Sequence, residues 1–108
     1  MPVIKYNKLV RDRIPEIIEK SGKRCTTAIL SDEAYLALLD EKLNEELAEY
    51  QESKSMEELA DLLEVIRAVA LARGSSIEEI EAIRRDKAEK RGGFARRILL
   101  IEVADGDE

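Results

Sequence analysis

Residues 43–66 read LNEELAEYQESKSMEELADLLEVI, and two helices can be parsed from this stretch alone. Apolar residues recur every three or four positions on either side of Ser53-Lys54-Ser55, where the pattern breaks. Ser55 precedes Glu58 by three residues, the spacing of a capping box at a helix start. Upstream, Ser31-Asp32 is a second capping signal, and Leu36, Leu39, Leu43, Leu47 and Tyr50 form one stripe ending near Glu52. Downstream, the second helix runs to Arg73, where Gly74 stops it. Ser75 or Ser76 opens a third helix through Ile77, Ile80 and Ile83 to Arg91, closed by Gly92-Gly93.

Outside this frame the signals are weaker. A proline is well tolerated in a first helical turn, so Pro15 to Lys20 reads as a short helix ending at Ser21-Gly22. Thr26-Thr27-Ala28-Ile29-Leu30 and Ile98-Leu99-Leu100-Ile101-Glu102-Val103 are β-like, and a two-stranded ribbon pairing about 24–30 with 97–103 is expected. The tail from Ala104 to Glu108 is polar and expected to be loose. The fold class expected is mainly α. It is an antiparallel bundle of three main helices with a short N-terminal helix and the small ribbon, in a single domain, 1–108.

Composition narrows the chemistry. The 108 residues are 44% hydrophobic, 39% charged and 4% aromatic, a helical profile with a modest core. A formal charge of −6 repels a nucleic-acid backbone, so polymeric nucleic acid is not expected as a partner. Cys25 is the single cysteine, and Met1-Pro2-Val3-Ile4-Lys5 lacks the apolar run of a signal peptide. The most apolar stretch, 60–72, is interrupted by Asp61, Glu64 and Arg67 and does not read as a membrane span. A cytoplasmic protein is expected. The chain contains no histidine, which removes the usual general base and the usual zinc ligand. A metal held here takes oxygen ligands, which favours magnesium, with manganese possible.

Projecting the helices at 100° per residue tests where the carboxylates point. With Leu43 at zero, Glu46 and Glu49 fall at about −60° and −120°, and with Ile66 at zero, Glu58 and Asp61 fall at about −80° and −140°. Glu45, Glu57 and Glu64 are expected to face elsewhere. If the turn at Ser53-Lys54 folds the helices antiparallel, all four carboxylates flank one groove. Glu49 then lies level with Glu58, and Glu46 with Asp61. Four clustered negative charges call for a cation or for protonation. The spacing alone is ordinary, since Glu16/Glu19 and Glu78/Glu81 repeat it on what reads as solvated surface.

Glu45-Glu46-Leu47-Ala48-Glu49 followed by Glu58-Leu59-Ala60-Asp61 is similar to the EExxE and ExxD signature of MazG-like all-α nucleotide pyrophosphatases. The flanks, Tyr6-Asn7-Lys8-Leu9-Val10-Arg11-Asp12-Arg13-Ile14-Pro15 and Lys87 through Arg91-Gly92-Gly93-Phe94, resemble the subgroup of phosphoribosyl-ATP pyrophosphohydrolase-like proteins. The likeness runs from about Tyr6 to Val103. It implies magnesium-dependent cleavage between the α and β phosphates of a nucleotide, with Glu46, Glu49, Glu58 and Asp61 as metal ligands. The interval between Glu49 and Glu58 is shorter than in many members of that family, which implies shorter helices or a trimmed pocket rim.

On that reading Glu46 or Glu49 is the general base, and Lys8, Arg11, Arg13, Lys87 and Arg91 are the phosphate-binding cations. Lys87 and Arg91 also suit a helix C-terminus without any ligand. Tyr6, Asn7 and Phe94 are candidates for the nucleotide base, although an aromatic residue in so aromatic-poor a chain is equally suited to a core. The second long helix carries Val65, Ala68, Leu71 and Ala72 outside its main stripe, so a homo-oligomer is expected. The competing reading is a non-catalytic nucleotide- or partner-binding module whose carboxylates hold a structural metal.

Overall fold

The computed structural model describes residues 2–106; Met1 and the last two residues of the expected tail lie outside them. The chain is mainly helical, with α1 (Ile14–Lys20), α2 (Asp32–Ser53), α3 (Met56–Ala72) and α4 (Ile77–Arg91). It divides into two compact units, one through Ile77 and one from Glu78 onward, so that α1–α3 belong to the first and nearly all of α4 to the second.

Each helix begins and ends where local chemistry dictates. Ser31 Oγ accepts from the Ala34 N–H at 3.2 Å, and Ser55 Oγ accepts from the Glu58 N–H at 3.3 Å. These are the two N-caps expected from sequence. Lys54 closes α2 in the left-handed region, φ 58°, with its N–H donating to Tyr50 O at 2.7 Å and its ammonium 5.6 Å from the Tyr50 ring centre. Gly74, φ 83°, closes α3 while the Ser75 N–H reaches back to Ala70 O at 2.7 Å. The link between α2 and α3 is only Lys54-Ser55, and the helices pack against each other as an antiparallel hairpin.

The capping box at α3 forms by half. The Ser55 N–H donates to Ser53 Oγ at 3.2 Å, so the Glu58 carboxylate is not drawn back to that N–H. A side chain that its sequence position would commit to the helix start is thereby left for another task.

The buried face of α2 is turned from the Leu43-centred stripe expected. Leu39 and Glu46 are buried while Leu47 is exposed, and on α3 Val65 and Ala70 are buried while Leu63 is exposed. The cause is a layer the two-helix projection ignored. Leu9 and Val10 of the N-terminal segment line a cleft with Tyr35, Leu39, Val65 and Ala68, covering the side of the hairpin that carries the acidic residues.

The expected ribbon is not formed. No strand occurs among the described residues, and 24–30 and 97–103 lie outside any helix or sheet. An isolated pair of strands needs a surface for its apolar face. Here Ile29 is fully exposed, and Ile98 through Ile101 are each between 73% and 85% exposed. Among the described residues, no helix is long and apolar enough to cross a membrane.

Candidate functional site

The hairpin register places residues of α2 and α3 opposite one another at matched heights, and acidic residues occupy the matched positions. Glu46, Glu58 and Asp61 each offer a carboxylate oxygen, and these oxygens all lie within 4.8 Å of one another. Glu46 is buried, with 7% of its surface exposed. Glu46 Oε2 and Glu58 Oε2 are shielded from solvent and have no hydrogen-bond partner. Buried carboxylate oxygens without donors are costly and unusual in a folded protein.

Glu49, the fourth residue expected in this group, is exposed on α2 and stands outside the close set. It still acts on it. Burial raises the Glu46 carboxyl above its ordinary range, and hydrogen bonding to Glu49 and the charges of Glu49 and Asp61 push the same way, against Lys42. Glu58 is raised in the same manner, first by desolvation and then by the charge and hydrogen bonding of Glu49.

Three cations meet this acidic surface. Arg11 Nη2 donates to Asp61 Oδ1 at 2.7 Å, and Lys8 Nζ donates to Glu45 Oε1 at 3.0 Å. Lys42 Nζ lies 3.4 Å from Glu45 Oε1 and 3.6 Å from Glu46 Oε1. The Lys8 contact holds the Glu45 carboxyl below its ordinary range and raises the ammonium of Lys8. With Lys8 matched to Glu45, Arg11 pairs with Asp61 and Lys42 with Glu46, two cations against the four carboxylates Glu46, Glu49, Glu58 and Asp61. Two formal negative charges remain at full ionisation, the amount a divalent cation neutralises.

The cleft beside this group has a volume of about 450 Å³. Its apolar floor comes from Leu9, Val10, Tyr35, Leu39, Val65 and Ala68, and its polar wall from Arg11, Asp12, Arg13, Lys42, Glu46, Asp61 and Glu64. An apolar floor with convergent charged groups is the usual make-up of a small-molecule site.

Of the phosphate-binding residues expected from sequence, Arg11 and Arg13 line this cleft, and Lys8 reaches α2 through Glu45. Tyr6 is exposed in the same segment, and Asn7 adopts φ 48°. Lys87, Arg91 and Phe94 belong to the second unit, with both cations exposed on α4 and Phe94 almost fully exposed beyond it.

Sequence reasoning passed over Lys42 and misplaced two acids. Lys42 could have been found from its four-residue spacing to Glu46. Glu45, expected to point away, is half-buried against Lys8, and Glu64, expected on the far side, lines the cleft. The Lys8–Glu45 contact spans 37 residues and carries no local signal.

Comparison with known proteins adds little. No protein-family model and no solved structure matches the chain. A 42-residue stretch is 57% identical to part of a protein of Mycolicibacterium smegmatis described as uncharacterized, covering 39% of this chain. The matched stretch spans 43% of that relative, less than half its length.

Proposed function

We propose that the hairpin is the core of a magnesium-dependent nucleotide pyrophosphohydrolase of the MazG-like kind, cleaving between the α and β phosphates of a nucleoside triphosphate or a phosphoribosyl nucleotide. One observation carries the reading: three carboxylates converge, and two of them present buried oxygens without hydrogen-bond partners. Oxygen donors of this kind fit magnesium or manganese. When bound, such an ion supplies polarisation of phosphate oxygens and neutralisation of their charge.

The chain's own residues account for the rest. Glu46, Glu58 and Asp61 hold the ion, with Glu49 beside them as a further ligand. Water attacks the α-phosphorus, the bond from that phosphorus to the bridging oxygen breaks, and pyrophosphate departs with the bridging oxygen. A carboxylate not fully used as a ligand accepts the proton of the attacking water, and Glu49, exposed and outside the close set, is the first candidate, with Glu46 the other. Arg11, Arg13 and Lys8 meet the charge on the departing group from the N-terminal segment. The apolar floor of the cleft suits a sugar or base, with Tyr6 and Asn7 of the N-terminal segment proposed as contacts. A cytoplasmic location goes with this reading.

Leu47, Leu59, Leu63 and Leu71 leave apolar surface exposed on the hairpin, which supports a homo-oligomer. A monomer in sedimentation at micromolar concentration would contradict this. The enzymatic reading is tested by incubating the protein with magnesium and a panel of canonical and modified nucleotides while measuring pyrophosphate release. Release from at least one nucleotide, abolished by Glu49→Gln and by Asp61→Asn, is expected. No release from any of them would leave the site to a non-catalytic role.

A further inference from the structure

Arg11 comes to the acidic group from 50 residues away in sequence, and its Nη2 donates to Asp61 Oδ1 at 2.7 Å. Asp61 is one of the three carboxylates whose oxygens converge, and Glu46 among them is more than nine-tenths buried with an unpartnered Oε2. The guanidinium therefore sits at the edge of a site in which Glu46 Oε2 and Glu58 Oε2 still lack donors. It occupies an oxygen, and a region of negative potential, that a cation in the group would also require.

The two cations touching the group are held differently. Lys42 is tied to Glu45 and Glu46 of its own helix by three- and four-residue spacing, and its side chain is only 20% exposed. Arg11 and Asp61 are 58% and 42% exposed in their side chains, so their contact is open to solvent and inexpensive to break. Arg11 also lines the cleft itself, next to Arg13.

We propose that Arg11 is an exchangeable counter-ion of the site. A divalent cation entering among Glu46, Glu58 and Asp61 displaces the guanidinium from Asp61, and the freed guanidinium turns to the anionic group of whatever occupies the cleft. This rests on the triad being a metal site. Arg11 thus opposes the metal while the cleft lacks an anion and becomes a hydrogen-bond donor to that anion once the metal is seated.

The test is calorimetric titration of the full chain with Mn2+ alone. Wild type is compared with Arg11→Gln and Arg11→Lys, all at one ionic strength. Removing the competitor is expected to tighten Mn2+ binding about two- to five-fold in Arg11→Gln, the range an exposed ion pair supports. Arg11→Lys, which keeps the charge, is expected to lie between. In a side-chain 15N spectrum, with the Arg11 Nε–H peak identified by its loss in Arg11→Gln, saturating Mg2+ is expected to shift that resonance. Equal or weaker Mn2+ binding by Arg11→Gln, or an unmoved Arg11 resonance at saturation, would overturn the exchange while leaving the metal site standing. Failure of wild type and both variants to bind Mn2+ would remove the metal site itself.

Discussion

Replacing Glu46 by glutamine keeps the side chain's shape and removes one charge from the most enclosed point of the acidic group. The carboxylate is 7% exposed, with Oε2 buried and unpartnered, and leaving such a group without a donor costs about 1–3 kcal/mol. An amide at that position can donate to the neighbouring oxygens of Glu58 and Asp61, which lie in the same 4.8 Å set. Against this stands the loss of Lys42, 3.6 Å from Glu46 Oε1, although Lys42 keeps Glu45 at 3.4 Å. A loss of up to about 1 kcal/mol is reasonable for that pair. The balance is a stabilisation of about 1 kcal/mol without metal, a rise in Tm of roughly 4–8 °C for a domain of this size.

Thermal denaturation in EDTA near neutral pH reads this directly, and repeating it with magnesium completes the test. Wild type at a hundredfold excess of magnesium over Kd gains about 2.7 kcal/mol, and Glu46→Gln, lacking a ligand charge, is expected to gain much less. The order of the two melting temperatures should therefore reverse between EDTA and magnesium. A Glu46→Gln protein of unchanged circular dichroism that melts below wild type in EDTA would refute the reasoning, because the buried carboxylate would then be a stabilising group.

Three further outcomes follow from the same geometry. Glu46 and Glu58 have pKa values raised in the folded chain, so the folded state holds more protons than the unfolded one just above the ordinary carboxylate range. Metal-free protein should therefore lose stability as pH rises through the raised values; Glu45, lowered by Lys8, contributes oppositely, losing its stabilisation as pH falls below the ordinary range. Urea midpoints measured from pH 4 to pH 8 in EDTA check the sign. Asp61→Asn relieves repulsion with Glu46 and Glu58 but loses the Arg11 contact, so its metal-free stability should stay within about 1 kcal/mol of wild type by urea denaturation. Ser55→Ala removes the acceptor of the Glu58 N–H and should cost about 1 kcal/mol of stability in the same assay.

The helical frame was legible because its boundaries are written in local chemistry. Ser31, Ser55 and Gly74 act where their side chains or backbone freedom suggest, and α2 ends at Ser53, one residue from the Glu52 expected. A two-residue link then fixes the register, which is why the height match of Glu46 with Asp61 could be read in advance. Contacts made across long separations were not legible. The N-terminal segment covers the acidic side of the hairpin through Leu9, Val10 and Arg11, and nothing in the helix periodicity announces it. Its presence accounts for the burial of Leu39, a member of the expected stripe, together with Glu46 beside it, while Leu47 of the same stripe stays exposed. The apolar run Ile98 to Val103 read as a strand because β propensity describes fit to a half-buried surface, and these residues have no such surface to meet.

Diffraction from crystals grown with Mn2+, with data collected for manganese anomalous scattering, tests the carboxylate centre most directly. An anomalous peak within coordinating distance of Glu46, Glu58 and Asp61, with Arg11 withdrawn from Asp61, is the expected result. No peak there at saturating Mn2+, with the three carboxylates still converging, would contradict it.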